Sequence, residues 1–387
     1  MDKQARNGIE SMEIQPATGK SLRHAPDNIP DELADIIEYR KSGLSLNHVI
    51  GCPLDCAYCV RHLFANYNMK RPHLVMNDED AVKRLVSHWA FQPNITPIQV
   101  FNRATDPFLP GVKDHLMRTL ELLDARKLTN HVLVITRWKV LPADVERLER
   151  LGHIRVTILV TWSGITDKRL EPVDSTIAEQ SLATLAVHAK RTKRILYWRP
   201  LIGGINDSDH HIERANRLAA MADATVFTGL FHRAEIRDHL ASIGAETSYV
   251  QTPRRKILPQ ELERRVINRF SGSALFRKTS CGVAFAHGVA DYNGHYGIRE
   301  ICDICPASQL EICANQHEQP DKNRMDEVLK IAGLERQNAI MSDGYISVQN
   351  SEEQQRYYIQ HSMCYQVHDR ALPHHPNRHG RAEEGWE

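Results

Sequence analysis

No run of eighteen apolar residues occurs anywhere in the 387-residue chain, and its opening stretch, MDKQARNGIESMEIQ, has no apolar h-region. The first absence argues against a membrane-spanning helix and the second against secretion, so a cytoplasmic protein without a membrane partner is expected. An excess of one charge sign is missing too. Lys and Arg number 49 against 48 Asp and Glu, a net +1, so no global field marks a nucleic-acid binder. Internal repeats beyond a strand–helix alternation are absent. What is present is a 42% hydrophobic composition, ample for a sizeable core, and eight cysteines. In a reducing compartment, clustered cysteines more often hold metal or do chemistry than form disulfides.

The alternation defines the fold class. Strand candidates are SLNHVIG (45–51), PIQVF (97–101), HVLVIT (131–136), IRVTILVT (154–161), RILYWR (194–199) and ATVFTGL (224–230). They are rich in Val, Ile and Thr and apolar throughout, as strands buried on both faces should be. Helix-like stretches lie between them, among them DEDAVKRLVSHWA with Asn77 or Asp78 as cap, and PADVERLERLG (142–152). Six such units with right-handed crossovers predict an α/β protein with either a doubly wound or a barrel-like parallel sheet, and since six units are two short of a closed eight-strand barrel, the preferred form is a partial (β/α)6 TIM-like barrel. In that architecture the loops at the strands' carboxyl ends carry function. The expected organisation is an extension over 1–44 with one short helix in PDELADIIEYRK, a barrel over 45–250, a basic helix and cysteine segment over 251–320, and a C-terminal cap and tail over 321–387.

The first loop is GCPLDCAYC. Cys52, Cys56 and Cys59 have the spacing C-x3-C-x2-C, which aims three thiolates at three corners of an iron–sulfur cube. His62 follows at C-x2-H and would equally complete a closed zinc site. Spacing alone leaves the two open. The position after the first strand of a large α/β domain and the aromatic Tyr58 before the third cysteine resemble the radical SAM superfamily, whose signature is C-x3-C-x-aromatic-C at that place. The resemblance implies a [4Fe–4S] cluster on Cys52, Cys56 and Cys59, its free iron bound by S-adenosylmethionine. It further implies reductive cleavage to a 5′-deoxyadenosyl radical that takes a hydrogen atom from substrate.

Further loops resemble the spore photoproduct lyase-like branch: Thr105-Asp106-Pro107-Phe108 after strand two, Arg169-Leu170-Glu171-Pro172 after strand four, and the run Arg199 to Asp207 (RPLIGGIND) after strand five. By that resemblance Thr105 and Asp106 meet the amino group of S-adenosylmethionine and Tyr58 borders the adenine. Thr136, Arg137, Thr161 and Arg199 are candidates for its carboxylate and ribose. The branch usually shows Thr-Lys where this chain has Thr136-Arg137. No cysteine matches the hydrogen-donor cysteine of true spore photoproduct lyases, which speaks against thymine-dimer repair.

Beyond the barrel come Cys281, Cys302, Cys305 and Cys313, in the pattern C-x20-C-x2-C-x7-C with Pro306 after the third. Four thiolates around a Gly-rich segment suit a second, auxiliary [4Fe–4S] cluster or a zinc site. Cys364 is left over, either an inert residue or a hydrogen-atom donor. The stretch 254–278 carries eight Arg or Lys against two Glu; Pro259 can open a helix there, leaving Arg264 and Arg265 outward. Such a face is solvated or contacts phosphates. His374, His375 and His379 lie in a polar tail.

The expectation is therefore a radical SAM enzyme with two [4Fe–4S] clusters. It would be served by an electron donor such as flavodoxin or ferredoxin, and would act on a nucleic acid, a nucleotide or a small metabolite. The rival is a zinc-stabilised nucleic-acid-binding protein without catalysis.

Overall fold

A run such as HVLVIT has no polar face to offer water, so it forms a strand only where both sides can be covered. The computed structural model describes residues 22–26, 29–64, 66–245, 247, 249, 258–319, 321–342 and 344–372. Among these, eight strands form one sheet in sequence order: β1 (Ile37–Arg40), β2 (Gly43–Leu46), β3 (Ile98–Val100), β4 (His131–Thr136), β5 (Arg155–Trp162), β6 (Lys193–Leu201), β7 (Ala224–Gly229) and β8 (Leu275–Phe276). All neighbours from β2 onward are parallel, and β1 alone runs antiparallel to its neighbour. Within the described residues β1 and β8 do not pair, so the sheet stays open, as a partial barrel does.

The crossover helices are α1 (Asp78–Val86), α2 (Val112–Asp124), α3 (Pro142–Glu149), α4 (Ser175–His188), α5 (Asp209–Ala219) and α6 (Ala234–Ser242). Asn77 caps α1 by accepting from the Asp80 amide at 2.8 Å. No described helix is long and apolar enough to cross a membrane.

Alternation along the strands sorts side chains onto two faces. Val132, Val134, Ile158, Val160, Leu196 and Trp198 join the larger apolar cluster, with Leu116, Leu120, Leu182 and Leu185 of the helices. Leu133, Leu159, Ile195 and Tyr197 point the other way and join a smaller cluster. That inner face is covered by the chain beyond the barrel. After α7 (Gln260–Arg269), helix α8 (Thr279–His287) brings Cys281 and Val283 against Ile195, Tyr197 and Val226, and Tyr292 and Ile301 complete the layer. Gly282 makes this possible, since a Cβ there would lie 2.6 Å from Val226 Cγ2.

Helices α9 (Ala307–Gln316) and α10 (Lys322–Ile331) follow, then a small sheet of β9 (Ile340–Ser342), β10 (Tyr345–Val348) and β11 (Gln366–Asp369), with α11 (Glu353–Met363) before its last strand. His361 of α11 bonds to the hydroxyl of Tyr39 at 2.9 Å, and Gln354 Oε1 accepts from the Tyr39 amide at 3.3 Å. The open edge of β1 is thereby covered.

Three sequence readings change. The expected helix in 30–41 is one turn, Asp31–Ala34, followed by strand β1. Ile37 and Tyr39 are buried while Glu38 and Arg40 are half-buried, a two-residue period that suits a hairpin edge. The last helix stops at Met363, and 366–369 is a strand instead, parallel to β10. The basic stretch does form a helix after Pro259, and Arg264 is exposed as expected, but three other arginines turn to carboxylates: Arg265 meets Asp207 at 3.2 Å, Arg269 meets Asp209 at 2.8 Å, and Arg277 is buried between Glu263 and Asp303. Residues 254–257 and His374, His375 and His379 lie outside the described residues.

Gly282→Ala should destabilise the metal-free chain by about 1–3 kcal/mol, because the added methyl overpacks a stiff valine and outweighs a helix-propensity gain of up to ~1 kcal/mol. Denaturant unfolding of both proteins checks this, and an unchanged or raised midpoint would contradict the packing described.

Candidate metal and cofactor sites

The first cysteine loop hangs from three neighbouring segments. The Gly51 amide donates to Ala104 O at 3.1 Å, Cys52 N to Met69 O at 2.8 Å, and Ala57 N to Leu170 O at 3.0 Å. Gly51 has φ +95°, and a Cβ there would lie 2.2 Å from Arg71 O, so no other residue fits as the loop enters. Buried Arg61 braces the return of the chain by donating to Asn66 O at 3.0 Å and Tyr67 O at 3.2 Å.

Cys52 and Cys56 are buried and Cys59 half-buried. Burial pushes the Cys52 and Cys56 thiols up, and Cys59 raises both further, as sulfurs gathered round one space should. His62 Nε2 pairs with Ala57 O at 3.0 Å, and its ring stacks on Tyr67 with the centroids 3.6 Å apart.

Beside Cys56 lies a charge pair that the sequence reading passed over. Glu171, 2% exposed, accepts from Cys56 Sγ at 3.3 Å and from the Tyr58 hydroxyl, and it is ion-paired with Arg137. Arg137 also donates to Tyr58 OH at 2.7 Å. Arg137 opposes the rise that burial, Glu171 and Cys59 impose on the Cys56 thiol. Glu171 sits in the Arg-Leu-Glu-Pro run quoted for the branch. A glutamate before a proline in a loop reads as solvated, and only the folded chain shows its burial.

The other expected residues divide into two groups. Asp106 accepts from Phe108 N at 3.0 Å, Thr136 Oγ1 at 2.6 Å and Arg137 N at 2.8 Å. Asp106, Thr136 and Arg137 therefore brace the loops of strands β3 and β4 against each other. Thr105 Oγ1, beside them, is buried without a hydrogen-bond partner. Thr161 shares the inner-face parity of Leu159, and Arg199 stacks on inner-face Tyr197 with its guanidinium 4.7 Å from the ring. Cys364 caps α11 in a left-handed conformation and is exposed.

The second cysteine set converges on the covered inner face. Cys281 stands in the first turn of α8, Cys302 ends a one-turn helix, Cys305 N donates to Cys302 O at 3.0 Å, and Pro306 opens α9 with Cys313 on it. All four line one cavity, together with Asp291 and His295. Burial pushes the Cys281 thiol well up, and Asp291 and the other three cysteines push it further; Cys305 is raised to about 12 by burial, Cys302 and Cys313. Four thiolates can coexist there only with cations between them, which is the donor set of an iron–sulfur cluster or a zinc ion.

Asp291 and His295 were not foreseen, although D-x3-H in a Gly-rich segment is readable. Burial pushes the Asp291 carboxyl up, but His295 overrides this and holds it at about 2. Burial pushes the His295 imidazole down, and Asp291 opposes that fall. His295 Nδ1 lies 3.0 Å from Asp291 Oδ2. Among the described residues, Cys281, Asp291 and His295 bring three ligand atoms within 4.8 Å of one another.

No family model matches the chain, and no curated protein matches its sequence. Solved structures do. Spore photoproduct lyase complexed with dinucleoside spore photoproduct is 13% identical over 62% of this chain and 79% of that one, with a TM-score of 0.45. A double mutant of that enzyme with bound AdoMet and the dinucleoside is 14% identical over 62% and 78%, at 0.48. SuiB of Streptococcus suis bound to S-adenosylmethionine is 12% identical over 65% of this chain and 54% of its own, at 0.41. Spore photoproduct lyase is the enzyme whose branch the loop motifs resemble. At these identities and scores, substrate and chemistry have to be argued from the chain's own residues.

Proposed function

We propose that this chain is a radical SAM enzyme with a [4Fe–4S] cluster on Cys52, Cys56 and Cys59 and a second one in the cavity of Cys281, Cys302, Cys305 and Cys313. The observation that carries the reading is the three-thiol loop at the carboxyl edge of an open parallel sheet, with the buried Glu171–Arg137 pair against Cys56. When bound, the first cluster and S-adenosylmethionine supply a one-electron cleavage that yields a 5′-deoxyadenosyl radical. The protein's own part is placement and exclusion of water.

Glu171 and Arg137 fix the face of the loop that carries Cys56 and Tyr58, and the Arg137 cation offsets charge that the thiolates bring. Thr105 Oγ1, with no protein partner, is the hydroxyl left to meet a ligand in that loop. Arg199, on the inner face above Tyr197, is the cation best placed for a carboxylate or substrate anion. Below it Leu159, Ile195 and Val226 wall the space from water. An external one-electron donor of flavodoxin or ferredoxin type is required.

A small metabolite is favoured over a nucleic acid as substrate. Among the described residues on α7 and just after it, Arg265, Arg269 and Arg277 are paired with Asp207, Asp209, Glu263 and Asp303, which weakens their pull on phosphate, and Arg264 stays exposed. Salt-sensitive DNA or RNA binding would reverse that preference.

In anaerobically reconstituted protein, Cys52→Ala, Cys56→Ala or Cys59→Ala should each abolish reductive formation of 5′-deoxyadenosine, measured by chromatography. Turnover at the parent rate in any one of them contradicts the ligand set. Glu171→Gln should lower the same rate or the iron occupancy about 10–100-fold, the usual cost of losing an outer-shell partner. Iron retained at the parent level with full activity would count against that role. Cys302→Ala or Cys305→Ala should remove about half of the bound iron and sulfide, as each [4Fe–4S] cluster takes an equal share; an unchanged content would refute the second cluster.

A further inference from the structure

The cavity of the second cysteine set contains a nitrogen that the four-thiolate reading does not use. His295 is 1% exposed, and its two ring nitrogens have unequal surroundings. Nδ1 faces the Asp291 carboxylate at 3.0 Å, with Ser280 Oγ at 3.3 Å and Cys281 Sγ at 3.8 Å. Asp291 Oδ2 also accepts from the His295 amide at 2.9 Å, which pins the carboxylate in place. An acceptor so placed fixes the ring proton on Nδ1 and leaves a bare lone pair on Nε2. That Nε2 is buried and has no hydrogen-bond partner. A buried acceptor without a donor is costly in a folded protein. A carboxylate on one ring nitrogen and a metal on the other is the arrangement in which metal-binding histidines are habitually held.

We infer that His295 is a ligand of the second metal centre through Nε2, with Asp291 as the residue that positions it. The inference rests on the reading of this cavity as an iron–sulfur site and changes its ligand set. The cavity is lined by four cysteines and by His295, one donor residue more than a [4Fe–4S] cube takes. Two N–H donors, the Asp291 amide at 3.5 Å and Gln309 Nε2 at 3.3 Å, can hold the Cys313 sulfur without a metal as well as with one, so Cys313 is the cysteine this inference releases. The assigned set is Cys281, Cys302, Cys305 and His295, with Cys313 hydrogen-bonded outside it. A neutral imidazole in place of a thiolate makes the centre less negative and raises its reduction potential.

The test uses the full chain with Cys52, Cys56 and Cys59 all replaced by alanine, so that only the second site loads with iron and sulfide. After reduction, pulsed electron paramagnetic resonance should show strong coupling to a histidine nitrogen that shifts with 15N-histidine labelling. The coupling should vanish in His295→Ala and stay, with the iron, in Cys313→Ala. In His295→Cys, which supplies a thiolate at the same corner, iron should be retained and the midpoint potential should fall. A loaded cluster with no histidine coupling, or with one that His295→Ala leaves unchanged, overturns the inference while the second-cluster reading survives. Failure of the triple variant to take up any iron and sulfide overturns both.

Discussion

Cys56 lies 3.3 Å from a carboxylate oxygen of Glu171 in a place that water does not reach, and Arg137 faces both. Negative donors crowded into a low-dielectric pocket must find cations or stay protonated, and that constraint recurs at the second cysteine set. There burial and mutual repulsion drive the Cys281 and Cys305 thiols upward, and Arg277, which also lines that cavity, is paired with Glu263 and Asp303. In the proposed reading, metal ions relieve this at both places. The Glu171–Arg137 pair would then stand beside the first centre, and Asp291 would position His295 at the second.

The sheet positions both cysteine sets. Its outer face is occupied by the crossover helices, and its carboxyl edge carries the first loop, Asp106 and Glu171. Its inner face is covered by α8 and the segment around Tyr292, which carry the second cysteine set onto that face. Arg199 and Tyr197 are on the strand that links both: Arg199 donates to Tyr197 OH at 3.0 Å, and Tyr197 OH pairs with Thr279 Oγ1 at 3.1 Å, two residues before Cys281. The C-terminal cap presses on this arrangement from the far side, where His361 reaches Asn293 and Tyr39.

Much of the sheet was readable because its strands are uniformly apolar and rich in β-branched residues. HVLVIT falls exactly on β4, and ATVFTGL misses β7 by one residue. The hairpin strand IEYR was not readable. A Pro-Asp-Glu start signals a helix, and four residues are too few for alternation to outvote it. Cysteine spacing located both thiol sets, since ligand geometry is written in local sequence. The supporting groups were hidden for the opposite reason. Glu171 meets Cys56 across 115 residues, and no local pattern distinguishes a buried glutamate from a solvated one. His295 becomes informative only when one ring nitrogen is seen to be bonded and the other left bare.

The central claim is a cube held at Cys52, Cys56 and Cys59 with one iron open to S-adenosylmethionine. Electron paramagnetic resonance of the reduced, oxygen-free chain, recorded before and after adding S-adenosylmethionine, addresses it most directly. The expected result is a [4Fe–4S] signal whose line shape changes on addition, with the responsive component missing from Cys56→Ala. A chain that binds zinc without iron or sulfide, or a cluster signal indifferent to S-adenosylmethionine, would contradict it.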